Sequence, residues 1–204
     1  MIAGIITIPE RIDAVNNLLT KIAPCVDNVK IFTDTEKRGQ WFNYSRCMHE
    51  MLSTAKHGEP VLVMTDDATT VYDWRERWEK IHQEAKSDIY VLFARQKHLF
   101  TEENMQRGYV TKLQARGYYD QASIFINRPT LMQDVLHWFN TGGNNHPKVI
   151  KRQKHLDVVV QEYLLHHNIP WTITTPTIFD HLQIKSSLGH KIGGSPFYVG
   201  NTAN

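Results

Sequence analysis

The chain has 204 residues, 41% of them hydrophobic and 22% charged, with a formal net charge of +2; that suffices for one domain with a sizeable core and falls short of two. This balance permits a nucleic-acid partner without demanding one, and the apolar runs stop far short of the roughly 20 residues of a membrane span. Two cysteines, Cys25 and Cys47, without CxxC spacing or a preceding secretory pattern, exclude a disulfide framework and point to a reduced, cytoplasmic protein.

IAGIITI (2–8) is a β-branched run that predicts a buried strand, followed by a loop over 7–11. IDAVNNLLTKI then carries apolar residues at 12, 15, 18, 19 and 22, the spacing of a helix. NVKIFTD (28–34) predicts a second strand ending at Asp34, residues 41–56 a helix, HGEP a turn and VLVMT (61–65) a third strand that runs straight into Asp66 and Asp67. WRERWEKIHQEA predicts a helix and IYVLF (89–93) another strand. This alternation predicts an α/β fold: a single Rossmann-like domain with a mostly parallel central sheet flanked by helices. Ligands of such sheets lie beyond the carboxyl ends of the strands, which gathers 7–11, Asp34 and Asp66-Asp67 into one crevice.

The second half is less regular. Residues 96–116, rich in Arg, Lys and Gln, predict a long loop with limited helix. QASIFINR (121–128) predicts a strand, and PTLMQDVLHWFN a helix entered through Pro129, a residue the first helical turn tolerates. TGGNNHPKVIKRQKH (141–155) predicts an exposed loop turning basic, HLDVVVQEYLLHHN an amphipathic helix, and WTITTPTIFDHL a strand leading to a turn. Glycines at 189, 193, 194 and 200 predict an irregular, mobile tail over 183–204.

No GxGxxG follows the first strand, and neither GxxxxGK[ST] nor GxSxG occurs. Support for dinucleotide binding, P-loop hydrolysis and α/β-hydrolase chemistry falls away with them. Asp66 and Asp67 repel each other, so a metal, a basic side chain or backbone N–H groups should lie close by. Taken alone, the pair reads equally well as a helix cap or turn former. A divalent cation held by carboxylates would bind phosphate without a glycine loop. FDHLQIKSSLGHK (179–191) adds His181, a common ligand, then Lys185, Ser186 and Ser187, which suit phosphate.

TIPER in the first loop, Asp34 at a strand end, N-x-x-R at Asn43 and Arg46, VLVMTDDA and DHLQIKSSLGH together resemble a compact GT-A glycosyltransferase, of the small single-domain kind carried by bacteriophages. The resemblance spans most of the chain, and the order of the motifs carries it. It implies a nucleotide-sugar-binding half over 1–95, an acceptor-side half over 96–182, a UDP-sugar donor and a divalent metal, Mn²⁺ or Mg²⁺. Thr7 and Arg11 would touch the nucleotide, Asp34 the base or its surroundings, and Asn43 and Arg46 the ribose and diphosphate. Asp67 would be the direct metal ligand, with Asp66 on the ribose or sugar and His181 as second ligand; Lys185, Ser186 and Ser187 would hold the phosphates. Gln121 would meet the donor sugar or acceptor. Asp157 would be the catalytic base, with Glu162 as second choice; by itself Asp157 also reads as a helix-start acid. The family pattern is D-x-D, and Thr65 stands where its first acid would fall.

Between residues 144 and 155 lie Lys148, Lys151, Arg152 and Lys154 with no acid, while Arg95, Lys97, Arg107, Lys112 and Arg116 cluster in the other long loop. A basic rim suits a polyanion, and equally describes a solvated surface. Tyr109, Tyr118 and Tyr119 suit stacking on a base or a sugar. The phage likeness implies an acceptor in DNA, a 5-hydroxymethylpyrimidine such as 5-hydroxymethylcytosine flipped from the duplex, inside an infected host cell. A cell-surface glycan is the alternative acceptor, and a non-catalytic nucleotide- or nucleic-acid-binding module the alternative from another class.

Overall fold

Strict alternation along the third strand sets the architecture. In β3 (Val61–Thr65), Val61 and Val63 join one buried cluster while Leu62 and Met64 join another, so both faces of the sheet are covered. The protein is described from a computed structural model over residues 1–112, 122–126, 131–151, 156–182 and 198. Its main sheet holds β1 (Ile2–Thr7), β2 (Asn28–Thr33), β3, β5 (Ile89–Val91), β6 (Tyr109–Lys112), β7 (Ala122–Phe125) and β8 (Trp171–Thr174), in the order β2-β1-β3-β7-β5-β8-β6. β1 pairs in parallel with β2 and β3, and β5 with β8; β7 and β6 run the opposite way. Five of these strands therefore share one direction, the mostly parallel α/β sheet expected. β4 (Ala68–Thr70) and β9 (Phe179–His181) form a separate antiparallel ribbon.

Helices α1 (Ile12–Ile22) and α2 (Gln40–Thr54) connect β1 to β2 and β2 to β3 and cover opposite faces. α1 buries Val15, Leu18 and Ile22, the inward stripe of its helical spacing, and leaves Ile12 exposed. α2 lays Tyr44, Cys47, Met48, Met51 and Leu52 on the other face. Its close approach to β1 requires Gly4, where a Cβ would stand 2.5 Å from Cys47 Sγ. α3 (Trp74–Ala85) buries Trp74 and Trp78 beside α1, and α5 (Leu131–Thr141) and α7 (Leu156–His166) pack with α2.

Several local expectations change. The 96–116 stretch contains α4 (Glu102–Arg107) and strand β6, and the 141–155 stretch contains α6 (Pro147–Lys151). The strand expected over 89–93 ends at Val91, and the segment after β8 forms a second strand, β9. Among the described residues no helix is long and apolar enough to cross a membrane.

Candidate active site

Thr7, the last residue of β1, is the hub of the crevice. Its carbonyl accepts hydrogen bonds from the Asp34 backbone N–H (2.9 Å) and the Asn43 amide (3.1 Å), which fastens the end of β2 and the start of α2 to β1. Its hydroxyl donates to Asp66 Oδ2 at 2.8 Å. β1 and β3 are paired neighbours, so their carboxyl ends arrive together at the point where the chain order of the sheet reverses.

The positive partner that the acid pair demands is Arg11. It stands in the short turn (Pro9–Arg11) after β1 and donates from Nη1 to Asp66 Oδ1 at 2.8 Å and to Asp67 Oδ2 at 3.2 Å. All three side chains are largely buried, at 13%, 7% and 11% exposure. Burial raises the Asp66 pKa above the usual carboxylate value, against the pull of Arg11 and Thr7. Burial also disfavours the Arg11 cation, but Asp66 and Asp67 more than compensate and raise its pKa further.

Thr65 completes the support of Asp67, donating from Oγ1 to Asp67 Oδ1 at 2.6 Å. The ribbon then delivers His181. β4 begins immediately after Asp67, Ala68 pairs with His181, and the Leu182 N–H bonds the Asp67 carbonyl at 2.7 Å. His181 Nε2 lies 3.4 Å from Asp67 Oδ2, and its ring packs edge-on to Phe93. Nδ1 lies 3.0 Å from the Leu182 carbonyl, an acceptor only, so Nδ1 carries the hydrogen in that bond. Nε2 is left facing a carboxylate.

This donor set fits a hard divalent cation. A histidine that spends one ring N–H on a backbone carbonyl and presents the other nitrogen beside a carboxylate is the arrangement metal ligands adopt. Asp67 and His181 would hold the cation, which would supply positive charge to an oxygen-rich ligand. Among the described residues no group of three or more His, Cys, Asp or Glu side chains is gathered for a metal, and Asp67 and His181 are the pair that would serve.

The remaining expected residues fall into three groups. Asp34, Asn43 and Arg46 line the same end of the sheet but are engaged with the protein. Asp34 accepts from the Arg38 and Gly39 N–H groups (3.0 and 2.8 Å), closing a loop that turns at Gly39 with φ +98°. Asn43 donates to the Thr7 and Phe32 carbonyls and accepts from Arg46, which also reaches the Thr33 carbonyl. Asp157 and Glu162 share α7. Asp157 sits in its first turn, half-buried, whereas Glu162 is buried and receives Lys148 Nζ on both oxygens at 3.1 and 2.9 Å. Lys151 is exposed on α6. Arg116, Gln121, Arg152, Lys154, Lys185, Ser186 and Ser187 lie outside the described residues. Sequence reasoning missed the part played by Thr65 as the orienting donor of Asp67; a hydroxyl two residues before a carboxylate was the available signal.

In fold the chain is similar to the 1–349 fragment of S. aureus TarS, with a TM-score of 0.51 and 13% identity over 85% of this chain and 58% of that fragment. The fold is of the GT-A type, a mostly parallel α/β sheet flanked by helices. The glycosyltransferase GlyE of Streptococcus pneumoniae TIGR4 aligns at a TM-score of 0.44 and 12% identity, over 83% of this chain and 44% of GlyE. No family model and no curated protein matches the chain by sequence. The acid pair stands in the crevice at the carboxyl ends of β1, β2 and β3.

Proposed function

We propose that this protein is a glycosyltransferase that moves a sugar from a UDP-sugar to a hydroxyl acceptor. The observation that carries the reading is the convergence of Arg11, Asp66, Asp67 and His181 at the carboxyl end of a GT-A-type sheet. A site with these charges suits a diphosphate leaving group: Arg11 meets its negative charge, and a cation on Asp67 and His181 supplies the rest. Thr7 and Asp34 border the nucleoside, with Asn43 and Arg46 holding the floor beneath it.

The acceptor oxygen attacks the anomeric carbon, the bond from that carbon to the diphosphate oxygen breaks, and UDP departs with the electron pair. Asp157 is the group we assign to take the acceptor's proton if the reaction inverts the anomeric centre. Glu162 is the poorer choice, because it is buried and already paired with Lys148.

For the acceptor we favour a 5-hydroxymethylpyrimidine in DNA, on the strength of the acid-free basic run from Lys148 to Lys154 and the likeness to phage enzymes. A saccharide acceptor is the second reading. One observation favours it: Lys148 is bound to Glu162 and Arg107 to Glu103, which removes two cations from the basic rim.

Incubating the protein with labelled UDP-sugars, Mn²⁺ and either hydroxymethylated DNA or an oligosaccharide separates these readings. Label on the base supports the first, label on the saccharide the second. No release of sugar from any UDP-sugar sinks the enzyme and leaves a binding module. In the active combination Asp67→Ala should abolish turnover, and Asp157→Asn should lower kcat by about 10²–10⁴-fold.

A further inference from the structure

Asp66 and Asp67 are neighbours with unequal surroundings. Asp66 has a firm partner on each oxygen, Thr7 on Oδ2 and Arg11 on Oδ1, both at 2.8 Å. Asp67 is held on both oxygens but unequally: Thr65 donates to Oδ1 at 2.6 Å, while Oδ2 accepts a longer bond from Arg11 Nη1 at 3.2 Å and lies 3.4 Å from His181 Nε2. The oxygen that faces His181 is thus the same oxygen that Arg11 touches from the other side.

We propose that Arg11 is a resident competitor for the divalent cation, sharing Asp67 Oδ2 with it, so that loading the cation releases the guanidinium from Asp67 while Asp66 keeps hold of it. This inference rests on the proposed cation site at Asp67 and His181. Its physics is the repulsion of like charges crowded onto one carboxylate oxygen in a largely buried crevice, where water screens them poorly. Asp66 makes the exchange workable. Arg11 leans on it more closely than on Asp67, and Thr7 fixes that carboxylate, so a guanidinium displaced from Asp67 remains tethered and turns toward the crevice. There it meets the diphosphate that arrives with the cation. The device keeps the acid pair neutralised when the crevice is empty and holds the cation affinity of the free protein low until the donor supplies further ligands.

The test is a titration of the purified protein with Mn²⁺ alone, following free Mn²⁺ by electron paramagnetic resonance. Arg11→Met should bind Mn²⁺ more tightly than wild type, on the order of tenfold. Arg11→Lys, which keeps the charge, should remain near wild type, and Asp67→Asn should lose the site in both backgrounds. Removing Arg11 leaves Asp66 buried without its cation, so Arg11→Met in an Asp66→Asn background supplies a second comparison, against Asp66→Asn alone. Tighter binding on loss of Arg11 in either background supports competition. Unchanged or weaker binding in both overturns it, as does the absence of any Asp67-dependent Mn²⁺ binding. Failure of sugar transfer is read separately: tightening of Mn²⁺ binding without turnover supports the competition and removes the glycosyltransferase assignment.

Discussion

Thr65 shows how much one hydroxyl can do for a charged site. It stands where the D-x-D pattern would place an acid, and the structure uses it to hold Asp67 Oδ1 at 2.6 Å inside a crevice where Thr65 is only 7% exposed. A carboxylate there would add a third negative charge to a pair that already needs Arg11. Thr65→Val keeps the shape and removes the donor. It should lower the unfolding free energy by about 1–3 kcal/mol, measured by urea denaturation, because a buried charged acceptor loses a short hydrogen bond. At this scale the sequence was readable in kind and silent in partner. Two adjacent acids demand a positive neighbour, but only the meeting of β1 with β3 decides that the neighbour is Arg11. Asn43, which the resemblance places against the ribose and diphosphate, spends its amide hydrogens on the Thr7 and Phe32 carbonyls.

Elements with long apolar periodicity were visible in the sequence, and those resting on a partner were not. α1 announces itself by spacing, and β3 by a run of apolar residues. β4 has three residues, β6 is an edge strand inside a polar stretch, and α6 has five residues with Val149 as its buried contact; none is long enough to show a period. The position of β7 between β3 and β5 was equally hidden, because antiparallel insertion leaves no mark on the order of segments along the chain. The junction of α3 and β5 carries a pH dependence. Tyr90 Oη accepts from the Ser87 N–H at 2.8 Å and shares a hydrogen bond with His82 Nδ1, also at 2.8 Å, and the His82 ring stacks on Trp78. Burial lowers the His82 pKa below its ordinary 6.5. The unfolded chain therefore takes up this proton first, and stability is complete above pH 6.5 and declines as the pH falls through 6.5 toward the lower value in the fold. Thermal unfolding of wild type between pH 7.5 and about 5 should show this decline, and His82→Gln should flatten it. A parallel pair of profiles would refute the assignment.

At the scale of the molecule, one sheet with a core on each face explains why the site stands where it does. The covering helices leave the carboxyl ends of the strands open, and the chain order reverses there. The expectation of a mostly parallel α/β sheet followed from alternation alone, since buried strands separated by helices have few other ways to pack. β1 and α2 approach each other closely at Gly4. Gly4→Ala would put its methyl 2.5 Å from Cys47 Sγ and 3.2 Å from Met51 Cγ. This should cost about 1–3 kcal/mol by overpacking, seen as a lower Tm, and Cys47→Ala in the same chain should recover part of the loss. The β4–β9 ribbon has a consequence in time. Thr70 bonds Ile178 across 108 residues of sequence, and His181 reaches Asp67 through that same pairing. Closing so large a loop costs entropy that only the already folded sheet can offset. A nascent chain, growing at roughly 5–20 residues per second, thus carries its acid pair and Arg11 well before it carries His181, and the ribbon that brings His181 to Asp67 is among the last pairings it can make.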